Sequence, residues 1–125
     1  MFTFLTKKSG MSDEDFRSYY ENNHSKLLGK GKSAGLVLNY RRNYPIKWQT
    51  PPWVGESGEL EKIYDCVTEV TLRDREALNA LIGNIDEAGA KMVAADEENF
   101  VDRSKTKILV CEVEESDLAS AKDAD

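Results

Sequence analysis

The chain holds a single histidine, His24, within the stretch DFRSYYENNHSKLL, residues 15–28. Imidazole is the side chain whose ordinary titration lies nearest neutral pH, so a lone histidine in an apolar setting is a candidate general acid or base. At about 100° per residue, Phe16, Tyr20, His24, Leu27 and Leu28 share one stripe of a helix, while Glu14, Arg17 and Glu21 point elsewhere. Burial on such a stripe favours a neutral ring, and the negative end of a helix favours the cation. A group set between those influences suits proton transfer. The competing reading is a histidine that only packs or caps the helix end, where Asn22, Asn23 and Ser25 are equally good capping residues.

Other groups could share the chemistry. Asp65 and Glu69 stand at i and i+4 in the run IYDCVTEVTL. On a strand that spacing puts them on one face about 13 Å apart, beyond the roughly 5–9.5 Å of a glycosidase carboxylate pair. Asp65 could orient His24 or a substrate hydroxyl; otherwise these carboxylates pair with Arg41 or Arg42 of a neighbouring strand. Tyr20 and Tyr40 could donate hydrogen bonds to a phenol or carbonyl, or simply pack. Trp48 and Trp53 could stack on a flat aromatic ligand, or anchor a loop or an interface. Arg41, Arg42, Lys7 and Lys8 could bind a substrate carboxylate, or form solvated faces. Phe100 belongs to the expected pocket wall. No GxSxG elbow, Gly-rich phosphate loop or dinucleotide fingerprint is present. With one His and two separated cysteines, Cys66 and Cys111, there is no zinc-type cluster, and both thiols are expected buried and free.

The elements that must position these groups are legible in outline. Residues 2–7, FTFLTK, read as a strand. Ser12 before DED is a good N-cap with acids in the first turn, opening a helix expected from Asp13 to Leu28 and closed by Gly29, Gly31 and Gly35. Residues 36–44 read as a second strand and 63–72 as a third. Between them, 45–62 carries all three prolines and both tryptophans, the composition of a lid, binding loop or interface arm. A helical stretch follows from Asp74, broken near Gly83-Asn84, with its second helix from Asp86 to about Asp96. Residues 105–115 read as the fourth strand, and 116–125 as a polar tail beyond a 1–115 domain.

This order is the split βαβ, ferredoxin-like pattern of an α+β fold. The first strand then lies between the third and fourth, which excludes a Cys66–Cys111 disulfide because their α-carbons would stand about 10 Å apart. Helices on one face leave the other sheet face to be buried by a second copy, giving a dimeric α/β barrel. At 125 residues with 32% charged and 40% hydrophobic side chains, the composition is that of one globular domain. The net charge of −6 argues against nucleic acid or an anionic membrane as partner. No apolar run approaches the roughly 18–20 residues of a membrane helix, and the start MFTFLTKKSG lacks the features of a signal peptide, so a cytoplasmic protein is expected.

Three motifs carry a family resemblance. KKSGMSDEDFRSYYENNHSKLL resembles the first helix of the EthD-domain family through Met11-Ser12, Phe16, Tyr19, His24 and Leu27. IYDCVTEVTL is similar to the family's aromatic-Asp-Gly-x-x-Glu strand through Tyr64, Asp65 and Glu69. ADEENFVDRSKTKILVCEV is similar to its Asp-Glu-x-x-Phe-x-Asp and last strand. Two places depart: a second histidine common in the family is Asn23 here, and the proline of His-x-Pro is Lys26. The 45–62 segment is also longer and richer in Trp and Pro, which places substrate choice there. The resemblance implies a homodimeric barrel with a cavity in each protomer. It also implies cofactor-free cyclase, dehydratase or decarboxylase chemistry on a polyketide-type small molecule in secondary metabolism. His24 and Asp65 would be catalytic, with Tyr20, Tyr40, Arg41, Trp48, Trp53, Glu69 and Phe100 around the substrate. The rivals are a non-catalytic binding or stress-response module of the same fold and a haem-binding monooxygenase that would use His24 as axial ligand.

Overall fold

The computed structural model describes residues 1–28, 35–55, 58–83 and 87–119. Its centre is a four-stranded antiparallel sheet of β1 (Phe2–Leu5), β2 (Val37–Asn43), β5 (Cys66–Leu72) and β6 (Lys107–Leu109), in the order β2-β5-β1-β6. The first strand thus lies between the third and fourth long segments, as the pattern predicts. Leu5 pairs with Cys66, Thr3 with Thr68 and Phe2 with Glu69. Because side chains alternate across a strand, this register puts Leu5, Cys66, Thr68 and Val70 on one face and Phe2, Phe4, Val67 and Glu69 on the other. The first set is buried and faces the helices.

Helix α1 spans Asp13–Asn22. Ser12 caps it by accepting the Asp15 amide at 3.0 Å, and Asp13, Glu14 and Asp15 occupy the positive first turn. The helix is shorter than the expected Asp13–Leu28. Asn23 leaves helical geometry at φ −126° and ψ −71°, and the chain continues as a 3-10 turn over His24–Lys26. Asparagine competes with helix by bonding local backbone, and here the Asn23 amide donates to the Tyr19 carbonyl at 3.3 Å. His24 therefore sits on a separate turn just beyond α1. Gly29 and Gly31, expected to close the helix, lie outside the described residues; Gly35 takes φ +83°, a conformation that suits glycine.

Helices α2 (Arg75–Gly83) and α3 (Glu87–Glu97) follow β5; Asn84 and Asp86, where the break and the start of the second helix are expected, lie outside the described residues. Within 45–62, β3 (Trp48–Gln49) and β4 (Glu59–Leu60) form a separate two-stranded ribbon, joined through a 3-10 turn at Pro52–Val54. All four strands of the sheet are shorter than expected, β1 and β2 by two residues each. Strand β5 begins at Cys66, because Asp65 turns its carboxylate back onto the Lys7 amide at 2.7 Å. Strand β6 ends at Leu109, whose partner is Phe2, the first residue of β1; the ladder goes no further. Cys111 thus lies beyond the sheet and is exposed, against the expectation of a buried thiol, while Cys66 is buried; both are free. The core gathers Leu5, Phe16, Tyr20, Cys66, Phe100 and Val101, with Met11, Tyr19, Tyr40 and Tyr44 packed against it. No helix among the described residues is long and apolar enough to cross a membrane.

Candidate functional site

The turn His24–Lys26 lays the imidazole against the C-terminal end of α3. The end of α3 and the turn that follows it direct Asp96, Asn99 and Phe100 toward α1. His24 Nδ1 meets Asp96 Oδ2 at 2.7 Å. The other carboxylate oxygen, Oδ1, accepts the Tyr19 hydroxyl at 2.7 Å, and the Asn99 amide donates to that hydroxyl at 2.9 Å. The Phe100 ring lies 5.0 Å from the imidazole centroid and the Tyr20 ring 5.4 Å, edge-on, so the ring is held on two aromatic walls. The His24 and Asp96 side chains keep 15% and 21% exposure, half-sheltered rather than sealed. Nε2 has no hydrogen-bond partner among the described residues. Because Asp96 is an acceptor when ionised, a neutral His24 donates Nδ1–H to it and carries its lone pair on Nε2.

A second polar network lies on the sheet side of α1. The Tyr20 hydroxyl stands 2.7 Å from Thr68 Oγ1 and 3.0 Å from the Tyr40 hydroxyl. Arg42 holds Glu21 with two bonds, Nε at 2.9 Å and Nη2 at 2.7 Å, and Tyr44 donates to Glu21 Oε2 at 2.5 Å. The guanidinium of Arg42 also lies 4.7 Å from the Tyr40 ring centroid, and that of Arg17 lies 4.5 Å from the Tyr44 ring. These contacts fix protonation. Burial raises the Tyr20 and Tyr40 phenols above the ordinary tyrosine range, so both stay neutral. Burial, then the bond to Glu21, does the same for Tyr44. The Arg42 bonds hold the Glu21 carboxyl below its usual range. Near Asp96, the hydrogen bond to that carboxylate raises the Tyr19 phenol, keeping it a donor.

Some residues singled out in the sequence come together here and others do not. His24, Tyr20, Tyr40 and Phe100 form one neighbourhood. Asp65 does not orient His24; Asp96 takes that place. The Asp65 carboxylate is occupied by the Lys7 amide and by Lys62 Nζ, each at 2.7 Å. Lys62 also reaches Asp13 at 2.9 Å, and Lys7 meets the same Asp13 oxygen at 2.7 Å, so this cluster ties β1, α1 and the approach to β5. Burial works against the Lys62 charge, yet Asp65 and Asp13 outweigh it and raise its pKa. Nor does Asp65 pair with Arg41 or Arg42. Arg41 and Glu69 stand opposite each other on the sheet face away from the helices, because Arg42, one residue on, takes the helix-facing position. Phe100, at 0% exposure, and Tyr20, at 2%, are core walls behind the imidazole rather than open substrate contacts. Trp53 is 84% exposed on its turn, whereas Trp48 is half-buried in the β3–β4 ribbon, its indole N–H buried with no partner. A cleft of about 660 Å³ lies elsewhere, along the end of β5, the start of α2 and residues 110–115; it is lined by Phe2, Glu69, Leu72 and Leu78 among others, and does not include His24.

The family comparison agrees with the three motifs. The model of the EthD domain matches residues 8–104. The chain belongs to the EthD-domain family. Of this EthD domain the match covers α1, the His24 turn, β5 and α3 through Phe100, so both partners of the His24–Asp96 pair lie inside it. The search of curated proteins returned no match. Sequence reasoning missed Asp96, Tyr19 and Glu21 as site groups. The signal for Asp96 was present: it opens the Asp-Glu-x-x-Phe motif of the family and stands four residues before Phe100, one helical turn away. Among the described residues of the EthD domain, no three His, Cys, Asp or Glu side chains converge as a metal-holding group.

Proposed function

We propose that this EthD domain is a tailoring enzyme of secondary metabolism that acts on a polyketide-like small molecule by general acid/base catalysis. The observation that carries the reading is the 2.7 Å contact between His24 Nδ1 and Asp96 Oδ2, with Nε2 unpaired among the described residues. An oriented carboxylate fixes the tautomer and stabilises the imidazolium once a proton is taken, the logic of paired bases generally. His24 would abstract a proton through Nε2 and return it to carbon or oxygen. Enolisation, loss of water, loss of CO₂ and ring closure each need that transfer and a shaped cavity, and none requires a metal or redox cofactor. The neutral Tyr40 phenol, half-buried beside the network, is the hydroxyl best placed to meet a substrate oxygen. The protein acts, in this reading, as a homodimeric ferredoxin-like α/β barrel. Supporting that, Phe2, Phe4 and Val67 line the sheet face away from the helices, and the neighbouring Leu109 is half exposed.

The test is turnover of a panel of aromatic and non-aromatic polyketide acids by wild type and by His24→Ala, with the fold of both checked by circular dichroism. The expected result is a substrate consumed by wild type and spared by the variant. Equal turnover by both proteins contradicts the reading.

A second reading is favoured by the placement of the 660 Å³ cleft away from His24. A pocket of several hundred Å³ is enough for a drug-sized ligand. On this reading the domain is a non-catalytic small-molecule-binding module that uses that cleft. Ligand binding unaffected by His24→Ala but abolished by Leu78→Arg would favour the module over the enzyme.

A further inference from the structure

We infer that Tyr19 is a positioning residue for the acid/base pair, setting how strongly Asp96 holds the His24 imidazole; the inference rests on the reading of His24 and Asp96 as that pair. The geometry is specific. Asp96 uses one oxygen for His24 Nδ1 and the other for the Tyr19 hydroxyl, each at 2.7 Å. The Tyr19 hydroxyl is itself held by the Asn99 amide at 2.9 Å. Its ring packs 5.0 Å from Phe100, the same ring that backs the imidazole. Tyr19 precedes Tyr20 in α1, so one helical turn sends neighbouring phenols to different partners: Tyr20 to the sheet, Tyr19 to α3.

A donor on the far oxygen does two things to a carboxylate. It fixes the plane, so that the oxygen facing Nδ1 stays aligned, and it withdraws electron density, so that the carboxylate holds the imidazolium less tightly. Tyr19 thereby keeps the pair oriented without letting Asp96 trap the proton on His24. Among the described residues, the groups in contact with His24 are Asp96 from α3, Tyr20 from α1 and the uncharged Phe100 ring, with Tyr19 reaching it through Asp96; nearby Glu97 is engaged with Arg103 at 3.7 Å. Asp96 is the one carboxylate among those contacts, so the effect of Tyr19 on His24 runs through it.

The chain has one histidine, so its imidazole can be followed by NMR without assignment ambiguity. Wild type, Tyr19→Phe and Asp96→Asn, labelled with ¹⁵N-histidine, are titrated and the ring-nitrogen shifts recorded. Asp96→Asn removes the counter-charge and is expected to move the imidazole midpoint down by about one pH unit. Tyr19→Phe keeps the ring packed on Phe100 and is expected to move the midpoint up by about half a unit. Asn99→Ala, an exposed change that cannot disturb the core, is expected to move it the same way by less, and serves should Tyr19→Phe fail to fold. A merely structural Tyr19 would lower stability and leave the midpoint where it is. A midpoint unmoved in Tyr19→Phe but lowered in Asp96→Asn overturns the role of Tyr19 and leaves the pair intact. A midpoint unmoved in both overturns the pair itself.

Discussion

The Tyr20 hydroxyl separates a structural from a substrate-binding role. It is placed between Thr68 Oγ1 at 2.7 Å and the Tyr40 hydroxyl at 3.0 Å, on a residue of 2% exposure. Tyr20→Phe keeps the ring and deletes both bonds. Thr68, 4% exposed, is then left with the 3.7 Å contact to Cys66 Sγ, a weak partner. Orphaning a buried hydroxyl costs about 1–3 kcal/mol. For a chain of 125 residues, an unfolding entropy of about 2.1 cal/mol/K per residue turns about 2 kcal/mol into a melting-temperature drop of roughly 8 °C. Tyr40→Phe removes one of these bonds from a half-exposed residue and leaves the Tyr20–Thr68 bond intact, so it should cost only about 0.5–1 kcal/mol. Urea and thermal denaturation of the two variants beside wild type measure both numbers. A Tyr20→Phe protein within about 0.5 kcal/mol of wild type would refute the reasoning. Its hydroxyl would then face solvent or a ligand, and Tyr20 would return as a substrate contact.

Three further outcomes are expected. The folded-state phenols of Tyr20 and Tyr40 are raised above the ordinary value of 10.0, so their contribution to stability is complete below pH 10 and is lost as pH rises beyond it. The loss should appear between melts at pH 9 and pH 11, and Tyr20→Phe should make it smaller; an equal loss in Tyr20→Phe would contradict the burial of that phenol. At the other end, the Glu21 carboxyl is held below its ordinary 4.5, so its contribution is present above pH 4.5 and is lost as pH falls through the lowered folded value. Glu21→Gln should flatten the acid limb of a stability–pH curve below 4.5, and an unchanged limb would contradict the Arg42 assignment. Burial pushes the Cys66 thiol up to about 11, while Cys111 is exposed. Native protein should therefore give one fast-reacting thiol with a disulfide reagent, abolished by Cys111→Ser; a fast phase surviving that change would place Cys66 at the surface.

The elements that position the site were legible because each rests on local chemistry. Ser12 and the acids after it mark the start of α1, and the β-branched run at Cys66–Leu72 marks a central strand. The length of α1 was not legible. The apolar stripe continues through His24 to Leu28, and periodicity extended the helix across Asn22-Asn23, where side-chain bonding to the backbone ended it. The partner of His24 was missed for another reason. Asp65 and Asp96 are both acids in family motifs, and spacing along a chain does not say which of two distant carboxylates a turn will face. Packing decided it: Phe100 in the core fixes the end of α3, and Asp96 is carried with it. The side of β2 that faces the helices was also decided by register, which gave Arg42 rather than Arg41 to Glu21.

The most direct test of the pair is a kinetic cycle on whichever polyketide acid wild type consumes, comparing kcat/KM for His24→Ala, Asp96→Asn and the double variant. If His24 is the base and Asp96 its orienting carboxylate, His24→Ala loses about 10²–10⁴-fold, Asp96→Asn loses less, and the double variant is no slower than His24→Ala alone. A His24→Ala protein that stays folded and works within tenfold of wild type, or losses that multiply in the double variant, would contradict it.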